Sequence, residues 1–168
     1  MIILALDPGT TETGWCLYDT DGPAVIDHAT QPNEQVRVML HLLRGDVSPM
    51  VRPQLLAVER FASYGMAVGQ EVFDTCEWAG RFVEAWGGRV ERVFRRDVKS
   101  ELCHSQQAGD SNVRQAILDR FPRTGGGKTP QVGTKGQPGP LYGMSGDMWA
   151  ALGVAVVAAA RMRAGVAA

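Results

Sequence analysis

Three acidic residues stand where apolar runs give way to turns or begin a helix, and together they could hold a hard cation. Asp7 closes the run Ile2-Ile3-Leu4-Ala5-Leu6 and is followed by Pro8-Gly9. Glu59 closes a second run, Leu55-Leu56-Ala57-Val58. Asp147 falls in the first turn of an Ala- and Val-rich segment that Ser145 could cap. A carboxylate at the end of a buried strand needs a partner, because an unpaired charge is costly away from water. Three carboxylates in one cleft would repel and raise one another's pKa. Oxygen donors of this kind select Mg2+ or Mn2+. Two such ions about 4 Å apart can clamp the attacking and leaving oxygens of a phosphodiester. The plainer reading gives Asp7 to a turn, Glu59 to an ion pair with Arg60 or Arg52, and Asp147 to its helix dipole. Spacing alone leaves both open.

The acids can meet only if the chain brings these element ends together. Residues 2–7, 14–19 and 23–28 read as three successive strands, with Asp21-Gly22 as a two-residue hairpin turn. Asn33 can cap a helix carrying Val36, Leu40 and Leu43 and ending near Gly45. Leu55 to Val58 reads as a fourth strand, followed by a loop at 60–65 with Arg60, Phe61 and Tyr64. The spacing predicts a long helix over 66–86, stopped by Gly87-Gly88. Val90, Val93 and Phe94 mark a further strand, after which Asp97 caps a short helix with Val98, Lys99 and Leu102. Asp110 or Ser111 could start a helix running from Val113 to Phe121. Residues 123–144 hold seven glycines and three prolines, and are expected to form a mobile loop within a single domain spanning 1–168. This order predicts an α/β protein with a mixed sheet covered by helices. In such sheets the ends of neighbouring strands open on one cleft. Asp7 and Glu59 would share it if the first and fourth strands are adjacent and parallel, and Asp147 could complete the cluster.

Bulk properties narrow the function classes. With 168 residues, 45% hydrophobic and 21% charged, the chain has the composition of one ordinary globular domain. A net charge of −1 means that any polyanionic partner must be met by a local basic surface. The three cysteines form no CxxC, which argues against a zinc site or a disulfide framework. Met1 leads straight into the first strand without room for a signal peptide. Arg161 and Arg163 interrupt the C-terminal apolar run, so it is not read as a membrane span. A cytoplasmic setting, in a bacterial cell or a phage-infected host, is expected.

Four motifs together resemble the RuvC family of Holliday-junction resolvases, over residues 1 to about 160. They are Asp7-Pro8-Gly9 with Thr13-Gly14-Trp15, then Val58-Glu59-Arg60, then Val98-Lys99, then Asp147-Met148-Trp149-Ala150-Ala151-Leu152-Gly153-Val154-Ala155. The resemblance implies a ribonuclease H-like fold, with a mixed five-stranded sheet flanked by helices. It also implies a homodimeric, Mg2+-dependent endonuclease, with Mn2+ able to substitute, that cuts branched DNA such as four-way junctions in recombination and repair. By that likeness Asp7, Glu59 and Asp147 match three of the family's four acidic positions, and would be both catalytic and metal-binding, with two ions per site. The implied mechanism is in-line attack of water on a phosphodiester near a branch point. Asp7 would bridge the ions, with Glu59 and Asp147 each steadying one. The chain departs at the fourth position, where the family's acid is replaced by Ala150. Asp110 is another acid that could swing in.

A resolvase must hold several phosphates without reading much sequence, which Lys and Arg near the cleft can do. Arg60, Lys99, Lys128 and Lys135 are the DNA-binding candidates, along with Arg95, Arg96 and Arg123. Lys99 matches the Val-Lys of the resembling motif. Tyr64 is the aromatic expected to stack on an opened base step, whereas Phe61 is expected in the core. His104 could shuttle a proton, although a histidine beside Cys103 is more often structural. Three rival readings share these residues. Asp7-Pro8-Gly9-Thr10-Thr11 also resembles the phosphate turn of actin-like sugar kinases, which need two such domains. A ribonuclease H-type nuclease that processes RNA, like the YqgF group, would share fold and acids. The third is a branched-DNA-binding protein whose catalysis decayed with the acid missing at Ala150.

Overall fold

The computed structural model describes residues 1–44, 52–63 and 65–166. Its strands are β1 (Ile2–Pro8), β2 (Glu12–Asp19), β3 (Ala24–Pro32), β4 (Leu55–Arg60) and β5 (Val90–Phe94). Its helices are α1 (Asn33–Arg44), α2 (Gln70–Trp86), α3 (Arg95–Cys103), α4 (Asp110–Leu118) and α5 (Asp147–Val166). The strands form one mixed sheet in the order β3-β2-β1-β4-β5. The β1–β2 and β2–β3 pairs are antiparallel, while β1–β4 and β4–β5 are parallel.

Side chains alternate across a strand, so the sheet divides its apolar residues between two faces. Ile3, Ala5, Leu55 and Ala57 point to one face and pack with Val98 of α3, Ile117 of α4 and Leu152 of α5. Leu4, Leu6, Leu56 and Val58 point to the other and pack with Val36 and Leu40 of α1 and Phe82 of α2. Burial on both faces is why β1 and β4 read as continuous apolar runs rather than alternating ones. The segment Asp147–Gly165 is long and apolar enough, by length and composition alone, to cross a membrane. Here Ala151, Leu152, Val154, Ala155, Val157 and Ala158 are all fully buried in the protein core.

Several boundaries differ from the sequence reading. Helix α2 begins at Gln70 rather than residue 66, after two glycines, Gly65 and Gly69, whose backbone entropy opposes helix. Asp97 does not cap α3, because Arg95 and Arg96 are already helical. It lies in the first turn, accepts the Phe94 N–H at 3.4 Å, and receives Arg161 Nη2 at 2.7 Å. Arg161 also reaches Glu91 at 3.2 Å and Glu101 at 2.8 Å, tying the end of α5 to β5 and α3. All three cysteines are free. The predicted end of the first helix at Gly45 lies outside the described residues.

The glycine-rich stretch 123–144 folds back on itself. Gly125 N–H donates to Pro130 O at 2.8 Å, Gly126 N–H to Gln137 O at 2.9 Å, and Leu141 N–H to Gln131 O at 2.8 Å. Gly133 has φ 79°, and a Cβ there would lie 2.2 Å from the Gly139 nitrogen. Leu141 is fully buried and anchors the stretch in the core. The glycines permit close backbone approach, a use that composition does not distinguish from chain freedom.

Candidate active site

Strand register brings the first two acids together. In the parallel β1–β4 pair Leu6 lies opposite Val58, so the next residues, Asp7 and Glu59, are neighbours at the strand ends. Both fall on the same side of the sheet as Ala5 and Ala57, the face covered by α3, α4 and α5. The third acid comes from α5. Asp7 pairs across the β1–β2 ladder with Gly14, and Gly14 lies against the start of that helix. A Cβ on Gly14 would be 2.5 Å from the Asp147 carbonyl carbon and 2.6 Å from its Cβ. A cleft of about 790 Å³ opens here, lined among others by Asp7, Glu59, Asp147, Asp110, Arg95 and Arg114.

The turn after Asp7 is held from below. Asn33 is only 2% exposed. Its Nδ2 donates to Gly9 O at 3.0 Å, its Oδ1 accepts the Thr13 hydroxyl at 2.6 Å, and its backbone N–H donates to Thr11 O at 3.0 Å. Asn33 therefore starts α1 while its side chain fixes the Asp7 turn. Asn33→Ala would leave the buried Thr13 hydroxyl and Gly9 carbonyl without these partners. A loss of about 2 kcal/mol is expected, checked by urea denaturation.

The electrostatics of the cleft centre on Asp7. Burial, the hydrogen bond to Glu59, and the negative charges of Glu59 and Asp147 push its pKa up to about 9. Asp7 therefore keeps its proton at neutral pH, with its carboxyl hydrogen-bonded to Glu59. The opposing influence is Arg95, whose Nε lies 3.9 Å from Glu59 Oε1 and whose Nη2 lies 2.7 Å from Asp110 Oδ1. Among the described residues Glu59 thus pairs with Arg95, where the plainer sequence reading had Arg60 or Arg52. Two touching carboxyls held by one proton offer the hard oxygen donors that Mg2+ or Mn2+ prefers, and a cation can replace that proton. Asp147 is exposed and stands off from the pair. Accordingly, no group of three His, Cys, Asp or Glu side chains among the described residues is closed around an ion position. The donor chemistry fits such an ion, with Asp147 having to close in. Ala150 lines the same cleft with a methyl group.

The other predicted residues are dispersed. Arg60 ends β4 with its guanidinium 5.4 Å from the Phe94 ring centroid, and lines an adjoining groove rather than the cleft. Lys99 is half-buried one helical turn beyond Arg95 and does not line the cleft. Lys128 and Lys135 are exposed on the glycine-rich stretch, also away from the cleft lining. Tyr64 lies outside the described residues. Phe61, expected in the core, is half-buried at the wall between cleft and groove, because the chain has already left the sheet there. His104 terminates α3 with φ 55° and does not line the cleft. Sequence reasoning missed Arg114, whose guanidinium carbon lies 4.5 Å from the Trp149 ring centroid. The available signal was its helical spacing of four from Asp110.

The fold is of the ribonuclease H type, a mixed five-stranded sheet flanked by helices, as seen in RuvC. The chain is similar to the structure of Thermus thermophilus RuvC, with a TM-score of 0.63 and 18% identity, over 98% of this chain and 97% of that one. It is likewise similar to T. thermophilus RuvC in complex with a Holliday junction substrate, with a TM-score of 0.62 and 18% identity over 96% of each chain. No protein-family model and no curated protein matches the sequence.

Proposed function

We propose that the chain is a structure-selective endonuclease that resolves Holliday junctions and other branched DNA by metal-dependent phosphodiester hydrolysis. The observation that carries this reading is the contact between Asp7 and Glu59 at adjacent parallel strand ends, with Asp147 facing them from α5. It occurs on a fold shared with a RuvC whose structure holds a Holliday junction.

In this reading Asp7, Glu59 and Asp147 are the catalytic carboxylates and hold Mg2+, or Mn2+ in its place. When bound, two divalent ions supply positive charge at the attacking and leaving oxygens of the phosphodiester. Asp7, after losing its proton, would be the carboxylate shared by the ions, and Glu59 and Asp147 would each help to hold one. Strand ends and a helix start fix these side chains more firmly than loops would. Arg60, Lys99, Lys128 and Lys135 serve the DNA backbone beyond the cleft, and Tyr64 is the aromatic proposed to stack on an opened base step. Resolution needs nicks in two strands, which a homodimer presenting two clefts would supply. The setting is a bacterial or phage-infected cytoplasm. A second reading, a branched-DNA-binding protein that does not cut, draws on the methyl of Ala150 and the open position of Asp147.

The test is cleavage of a labelled four-way junction, a linear duplex and an RNA–DNA hybrid, each with Mg2+, Mn2+ or EDTA. Paired nicks on the junction, lost in EDTA, are expected. Cutting of the hybrid alone would replace branched DNA with an RNA-containing substrate. Tight junction binding without cutting would favour the second reading.

A further inference from the structure

Two arginines line the cleft with the acids: Arg95, one of the basic residues the sequence offers for phosphate, and Arg114, which it does not single out. Arg95 begins α3 and Arg114 lies on α4, and both line the cleft with Asp7, Glu59 and Asp147. Arg95 spends Nη2 on Asp110 and lies close to Glu59 through Nε, yet its Nη1 is buried with no hydrogen-bond partner among the described residues. A buried donor without an acceptor calls for an explanation, since leaving it so costs desolvation energy. Arg114 places its guanidinium carbon 4.5 Å from the Trp149 ring centroid, a cation–π contact that uses the ring rather than a hydrogen-bond acceptor. A guanidinium has five N–H donors for oxygen acceptors such as a phosphate. Trp149 is itself held by donating its indole N–H to Met144 O at 3.2 Å, so the platform under Arg114 is fixed.

We propose that Arg95 and Arg114 form a phosphate subsite on the α3–α4 wall of the acidic cleft, donating N–H bonds to the non-bridging oxygens of a DNA phosphodiester. The inference rests on the nuclease reading and names residues that reading does not include. A phosphate entering among Asp7, Glu59, Asp147 and Asp110 meets four carboxyl groups. Guanidinium groups offset that repulsion and orient the phosphate by paired N–H···O bonds. The phosphate also supplies the acceptor that Arg95 Nη1 lacks.

The experiment measures junction affinity against KCl concentration in EDTA, using a fluorescent four-way junction and Asp7→Asn protein so that binding is read without cleavage. Each phosphate contact contributes about 0.9 to the slope of log affinity against log salt. Adding Arg114→Gln should lower that slope by about one and weaken low-salt binding about five- to twentyfold, while Arg114→Lys keeps the slope. In Mg2+, Arg114→Gln with Asp7 intact should cut the junction at least about tenfold more slowly at saturating DNA. Arg95→Gln is expected to lower the slope by a further unit, but Arg114, being exposed on its helix, carries the test if that variant misfolds. An unchanged slope with Arg114→Gln would show that Arg114 only packs on Trp149, overturning the subsite and leaving the nuclease reading intact. Failure of the unsubstituted protein to bind the junction would overturn both.

Discussion

Asp7→Asn is expected to lower junction cleavage by at least about a thousandfold while making the metal-free protein more stable at pH 8. The first effect follows from position. Asp7 is the acid that touches Glu59 and feels the charge of Asp147, so an amide there removes the donor common to the cluster. The second follows from linkage. The carboxyl titrates near 3.8 in the unfolded chain and at about 9 in the folded one. Between those values the folded state holds one proton more, so stability falls as pH rises. The contribution of protonated Asp7 is complete below 3.8 and is lost as pH climbs through about 9. Asn is neutral throughout and escapes that loss. Thermal melts in EDTA should therefore coincide near pH 4 and separate toward pH 8, by an amount on the order of a few kcal/mol. Melts that stay parallel across this range would mean that Asp7 is ionised in the folded protein.

Gly14→Ala should be nearly as damaging, from a residue with no chemistry of its own. The added methyl would sit 2.5–2.7 Å from the Asp147 backbone and Cβ, where the obstacle is the start of a helix rather than a flexible side chain. Helix α5 must move away from β2, carrying Asp147 with it and loosening Trp149. Overpacking of this kind costs about 1–3 kcal/mol. A displacement of about 1 Å in a catalytic carboxylate costs about a hundredfold in rate. Urea midpoints and single-turnover cleavage measure the two losses separately. Wild-type stability and rate in Gly14→Ala would refute the close packing of β2 against α5.

The strands that carry Asp7 and Glu59 were legible because burial on both faces writes an uninterrupted apolar run, and an acid ends each. Their adjacency was not. It depends on β4 entering the sheet beside β1 in parallel, a long-range pairing that leaves no local pattern. Asp147 was legible as a helix start. Its approach to Asp7 depends on Gly14, whose role is visible only from the atoms a Cβ would strike. The basic residues were the least legible. Lys128 and Lys135 stand out because their surroundings are glycine-rich, yet both lie away from the cleft lining. Arg114 looks like any charge on a polar helix face until Trp149 is found beneath it. The Asp97 cap was misplaced by three residues, since Phe94 is the cap and the two arginines before Asp97 are already helical.

The central claim is that Asp7, Glu59 and Asp147 form a divalent-cation site from which a cation expels the proton of Asp7. Calorimetric titration with Mn2+ at pH 7.5, repeated in buffers of different ionisation enthalpy, measures that proton directly. Binding with release of about one proton per chain is predicted, with no release from Asp7→Asn. Absence of Mn2+ binding, or binding that releases no proton from the unsubstituted protein, would contradict the claim.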